Sequence, residues 1–148
     1  MNVEEVIKTD KPIPLESRTL IHYSLVGNRI HEVMTNALKP FEVSLQQFNV
    51  LRILRGQKGK PANLSTLNER MVTKMSNTTR LVDKLIIKGY VNRITCPSNR
   101  RKVEINITAK GERVLTQMDS AMKAAEKSVL KNLSQEDLKI LNQLLDKF

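Results

Sequence analysis

Between Gly89 and Thr108 the spacing of apolar residues changes from helical to alternating, and it changes back at Ala109. Val103, Ile105 and Ile107 alternate with Lys102, Glu104 and Asn106, the pattern of a half-buried strand. Val91 and Ile94 supply a shorter strand. Between the two, Cys96-Pro97-Ser98-Asn99-Arg100-Arg101 is turn-rich and cationic. Two strands are too few to stand alone in water, so this hairpin must pack on helices. The expected fold is therefore mainly α with a small β-hairpin.

The helices around it are readable from their caps and apolar stripes. Residues 1–14 are expected to be an irregular arm, because Pro12 and Pro14 exclude a helix interior there. From Leu15 to Leu38, Tyr23, Val26, Ile30, Val33 and Ala37 recur at helical spacing. Leu20, Ile21, Leu25, Met34 and Leu38 add a second apolar face, so this helix needs two partners or a second chain. Ser44 and Gln47 form a capping box ahead of Phe48, Leu51 and Leu54, in a helix that Gly56 and Gly59 close. Asn63 caps a short helix with Leu64, Leu67 and Met71. After the polar turn Val72 to Lys74, the next helix runs from about Met75 to Lys88 and stops at Gly89. Thr108 caps a long helix from about Ala109 to Leu133, and Ser134 with Asp137 opens a last one bearing Leu138, Leu141, Leu144, Leu145 and Phe148.

The charge is unevenly placed. Residues 1–51 carry five bases and six acids, residues 112–148 six of each, and residues 52–111 fourteen bases against three acids. The whole net charge of +10 thus originates in the middle of the chain. A polyanion-binding segment between neutral flanks fits this distribution, as does a solvated basic surface. Only five aromatics are present, too few for a platform that stacks single-stranded bases. The lone Cys96 excludes an intramolecular disulfide and fits a reducing cytoplasm. No apolar run approaches a membrane span, and the acidic, proline-bearing N-terminus is not a secretory signal.

Helix, short turn, helix and basic-tipped hairpin, in that order, describe a winged helix-turn-helix, whose second helix enters a DNA major groove. In the segment Lys74 to Lys88, Thr78, Leu81, Val82 and Leu85 fall on one face, while Ser76, Asn77, Arg80 and Lys84 fall opposite. Serine and asparagine offer donors and acceptors to base edges, and Arg80 suits a guanine edge or a phosphate. The competing reading of Arg80 is a surface ion pair with Asp83. At the hairpin tip, Arg100 and Arg101 suit a minor groove, where the negative potential is deepest. Lys102 and Arg93, at the strand edges, suit phosphates, and Asn99 belongs to the same tip. The competing reading of the tip is a solvated turn.

These residues resemble the MarR family of bacterial transcription regulators. The resemblance runs through Thr79-Arg80-Leu81-Val82-Asp83-Lys84-Leu85, Lys88-Gly89-Tyr90-Val91, Pro97-Ser98-Asn99-Arg100-Arg101 and Ile107-Thr108-Ala109-Lys110-Gly111. Its core spans about residues 48–111. It implies a homodimer in which residues 1–44 and 112–148 supply dimerisation helices and residues 45–111 form the DNA-binding lobe. It also implies that Ser76, Asn77, Thr79 and Arg80 read successive major grooves of a near-palindromic operator, while Arg100 or Arg101 enters the flanking minor groove. Many members release DNA when a small aromatic or phenolic acid binds between the dimer region and the lobes, though no residue here is marked as its ligand. Two positions depart from the family pattern. Cys96 and Asn99 stand where aspartates are usual, which leaves a wing-bracing Asp–Arg pair in doubt. Thr78 stands where an apolar residue is usual, so looser packing is expected there.

Other chemistry is poorly supplied. His22 and His31 share no tight helical face and lack clustered ligands, so no metal is expected. They are expected to line a dimer core or a pocket. Met34, Met71, Met75, Met118 and Met122 sit at core spacing, with a cavity lining as the alternative. Cys96 lies near basic residues, but a bystander thiol is the better reading than a redox switch. There is no Gly-rich phosphate loop, Ser/His/Asp set or nucleophile elbow, so neither a cofactor nor an enzyme is expected. The leading expectation is a sequence-specific, dimeric repressor that binds double-stranded DNA. The rival is a non-specific architectural or RNA-binding protein using the same cations.

Overall fold

The structure, a computed structural model, describes residues 1–73, 77–95 and 103–148. Seven α-helices and one hairpin are present among them: α1 Val3–Ile7, α2 Leu15–Leu38, α3 Leu45–Gly56, α4 Leu64–Arg70, α5 Thr78–Ile87, β1 Val91–Thr95, β2 Val103–Ile107, α6 Ala109–Leu130 and α7 Gln135–Leu145. A single 3₁₀ turn, Lys39–Phe41, follows α2 at Pro40.

Most helix starts lie where the caps put them. Ser44 accepts from the Gln47 N–H at 3.2 Å while the Gln47 side chain accepts from the Ser44 N–H at 2.9 Å. Asn63, Thr108 and Ser134 cap α4, α6 and α7 in the same manner. Asp137 completes the α7 box, and its hydrogen bonds from Ser134 hold its carboxyl below the usual aspartate range. Gly89 has φ +72°, the left-handed conformation that ends the α5 segment.

Three boundaries differ from expectation. The N-terminal segment is not wholly irregular, because Val3–Ile7 forms a helix ahead of the prolines. Asn2 caps it, and a two-pronged Glu4–Arg18 pair at 2.7 and 3.1 Å fastens it to α2. The Arg18 guanidinium holds the Glu4 carboxyl below its ordinary range. Helix α6 ends at Leu130 rather than Leu133, because Ser134 needs extended backbone (φ −71°, ψ 167°) to cap α7. Helix α5 begins at Thr78, since Asn77 (φ −128°, ψ 33°) is its N-cap and not a helical residue.

The hairpin pairs Val91 with Ile107 through Thr95 with Val103, antiparallel. One further pairing was not foreseen. Ala62 exchanges both backbone hydrogen bonds with Ile105, at 2.9 and 2.7 Å, so β2 is bonded on both edges at that point.

The core gathers the inward faces of α2 to α6 and the hairpin. Leu38, Leu51, Leu67, Leu85, Ile105, Leu115 and Met118 are fully buried in it. Each such side chain contributes about 1.5–3 kcal/mol relative to exposure, so this cluster is what joins the lobe to α2 and α6. The two chain ends are different. Tyr23 of α2 is 66% exposed, and α7 buries no residue and leaves Leu144 52% exposed. Leu20, Tyr23 and Val26 of α2 and the apolar face of α7 are thus left uncovered within one chain.

Candidate nucleic-acid interface

Helices α4 and α5 form the helix-turn-helix, and a side-chain hydrogen bond ties them. Thr78 is buried, and its hydroxyl donates to the Asn68 side-chain oxygen on α4. The looser packing expected at Thr78 is therefore not found. A hydroxyl at this position has a polar partner within the motif, which removes the cost of burying it.

The two faces of α5 separate as the sequence predicts. Val82 and Leu85 are fully buried, and Leu81 and Ile86 pack against the core. Asn77, Thr79, Arg80 and Lys84 are exposed. The Asn77 side chain makes no capping bond, so its amide is not committed to its own helix. Arg80 and Lys84 form no ion pair among the described residues. The rival partner for Arg80 is occupied, because Asp83 pairs with Arg93 of β1 at 2.9 Å. That bond braces the hairpin against α5 and draws Arg93 away from the phosphate role expected of it.

Other cations of the basic segment are also structural. Lys88 lies 3.4 Å from Glu42, and Lys110 donates to the Lys88 carbonyl at 2.8 Å while lying 5.3 Å from the Tyr90 ring centroid. Part of the middle segment's charge therefore holds the lobe together, and the charge of α5 is left outward.

Lys74, Ser76, Asn99, Arg100, Arg101 and Lys102 lie outside the described residues, as do Met75 and Cys96. The frame for the tip is described. Thr95 and Val103 are the last paired residues, so the seven residues 96–102 join the open end of the hairpin.

A second feature was not assigned from sequence. An open cleft of about 630 Å³ separates α2 and α6 from the lobe. Its walls are Tyr23, Ile30, His31 and Met34 of α2, Phe48, Asn49 and Arg52 of α3, Met71 and Val72 before α5, and Met122 and Glu126 of α6. Arg52 lies 5.7 Å from the Phe48 ring centroid. Of the residues singled out above, His31, Met34, Met71 and Met122 reach the cleft; His22 does not line it. The lining comes from four separated stretches, so no local motif marks it. Among the described residues, no group of His, Cys, Asp and Glu could hold a metal ion, and no helix is long and apolar enough to cross a membrane.

Comparison with known proteins places this geometry. The sequence model of the MarR family matches residues 43–103, which run from the start of the helix-turn-helix lobe into β2. The multiple antibiotic resistance protein MarR of Escherichia coli (strain K12) is 26% identical over 130 residues, 86% of this chain and 87% of that protein. A MarR-like transcription regulator from Bacillus cereus superposes with a TM-score of 0.79 at 26% identity, covering 90% of this chain and 96% of the other. A mutant of Escherichia coli MarR, crystallised with operator DNA, superposes with a TM-score of 0.75 at 25% identity, covering 90% and 93%. The family's sequence model thus matches most of the lobe, and the arrangement of helices is shared with solved MarR-type regulators, so the chain is similar to the MarR family in both sequence and fold.

Proposed function

We propose that this protein is a homodimeric transcription regulator that binds double-stranded operator DNA sequence-specifically and acts as a repressor. The observation that carries this reading is the division of α5. Thr78, Val82 and Leu85 anchor it in the lobe, while Asn77, Thr79, Arg80 and Lys84 stand outward, and Arg80 and Lys84 form no ion pair among the described residues. A helix so mounted, in the segment that holds the chain's entire charge excess, has the shape and sign to enter a major groove. Lys74 and Ser76 extend that surface, and Asn99, Arg100, Arg101 and Lys102 form a wing that grips the adjacent minor groove. The operator complex of the Escherichia coli relative supports this use of the fold.

Residues 1–44 and 112–148 serve dimerisation, and residues 45–111 serve DNA. The uncovered apolar side chains of α2 and α7 support this division, because a second chain would bury them. Two-fold symmetry then makes the operator near-palindromic. The cleft between α2, α6 and the lobe is the seat of a small aromatic or phenolic acid whose binding releases DNA. Its aromatic and methionine walls with a single outward arginine, Arg52, support that chemistry. No catalytic role is assigned to any residue.

The wing is tested by salt dependence. An Arg100→Ala/Arg101→Ala variant should bind a selected operator duplex more weakly. Its plot of log affinity against log salt should be shallower by about 0.9 for each phosphate that the variant no longer neutralises. A slope equal to that of the unaltered protein would show that these arginines do not meet DNA.

A further inference from the structure

Helices α3 and α6 pack against each other along a seam, and the apolar side chains they bury include Leu51 and Leu54 on one side and Leu115, Met118 and Met122 on the other. Apolar contact is non-directional, so such a seam resists separation far better than it resists sliding or rotation. Among the described residues, one side-chain hydrogen bond joins the two helices. Arg55 at the C-terminal end of α3 donates to Asp119 of α6 at 2.5 Å, with both side chains little more than a third exposed. A charged, hydrogen-bonded pair has a preferred direction, which the surrounding leucines lack.

The pair is well placed for leverage. Helix α6 is already jointed to the lobe at its own start, where Thr108 donates to the Tyr90 carbonyl at 2.9 Å and Gly111 lies against that same carbonyl. Asp119 is eight residues further on, about 12 Å along the axis. A joint at Gly111 and a pin at Asp119 together define the angle between α6 and the lobe, whereas the joint alone leaves a pivot. The cleft opens on the same seam one turn beyond the pin, at Arg52 on α3 and at Met122 and Glu126 on α6.

We infer that Arg55 and Asp119 are positioning residues that fix the angle at which α6 carries the DNA-binding lobe, and thereby the placement of α5 for groove reading. This rests on the reading of α5 as the groove-reading helix. The first test is independent of DNA. Spin labels are attached in an Asn92→Cys/Lys127→Cys/Cys96→Ser background, mixed with excess unlabelled chain so that only the distance within one subunit is read. Asp119→Ala should shift or broaden that distance, and the charge exchange Arg55→Asp/Asp119→Arg should restore it. The second test is affinity for a duplex selected by the unaltered protein, which should fall about tenfold in Asp119→Ala and recover in the exchange. An unmoved distance in Asp119→Ala overturns the inference, as does a moved distance with unchanged affinity, or an exchange that restores neither. If the unaltered protein prefers no duplex, the DNA reading fails, while the distance arm still decides whether the pin holds the lobe.

Discussion

Replacing Gly111 with alanine is expected to lower the stability of the fold by about 3 kcal/mol, despite putting a better helix former into α6. A Cβ at this position would collide with the Tyr90 carbonyl oxygen and stand 2.9 Å from Ile107 Cγ1. The Ile107 methylene could turn aside, but the carbonyl is backbone and already accepts from Thr108. The start of α6 or the end of the α5–β1 connection must therefore move. The helical preference of alanine over glycine contributes about 1 kcal/mol in the opposite direction, less than the collision costs. Thermal denaturation at matched protein concentration should show a melting point roughly 6–12 °C lower. A variant that melts with the unaltered protein would mean that α6 does not approach Tyr90 this closely. Because Gly111 is also the joint on which the lobe is carried, partial unfolding there should reduce DNA binding as well.

Replacing Arg80 with alanine is expected to leave the fold intact and to weaken operator binding by about 1–3 kcal/mol, roughly 5–150-fold. The side chain is exposed and forms no ion pair among the described residues, so its loss should fall within the range of about 0.5 kcal/mol usual for surface changes. The partner proposed for it is DNA. The form of the loss distinguishes its two expected roles. If Arg80 pairs with a guanine edge, discrimination at one base pair of each half-site collapses while the salt slope is nearly kept. If it holds a phosphate, affinity falls equally for all sequences and the slope becomes shallower. Titrations of the variant against the selected duplex and its single-base substitutions separate these outcomes. Undiminished affinity for the operator would remove Arg80 from the interface.

The features visible in the sequence were those set by neighbours close along the chain. The capping boxes Ser44–Gln47 and Ser134–Asp137 act over three residues, and they mark the starts of α3 and α7 without reference to the rest of the fold. The burial of Val82 and Leu85 opposite Arg80 and Lys84 follows from helical period alone. What was missed depends on distant partners. Helix α1 has only five residues, and it persists because Glu4 meets Arg18 fourteen positions away. The Ala62–Ile105 pairing joins residues forty-three apart through a stretch too short to show an alternating pattern. Arg93 looked like a phosphate ligand because its charge is legible and its partner Asp83 is not. The cleft is the extreme case, since it is made of a few residues each from α2, α3, α6 and the turn before α5, all ordinary in their own segments.

The central claim is that two copies of α5 recognise one particular duplex. It is tested most directly by selecting duplexes from a random pool and competing the winner against its scrambled sequence at one fixed salt concentration. Light scattering on the same samples counts the chains per duplex. A near-palindrome with half-sites about ten base pairs apart is expected, bound by two chains and preferred by about a thousandfold or more. Equal affinity for the winner and its scramble would contradict the claim and leave only a general attraction between cationic protein and polyanion.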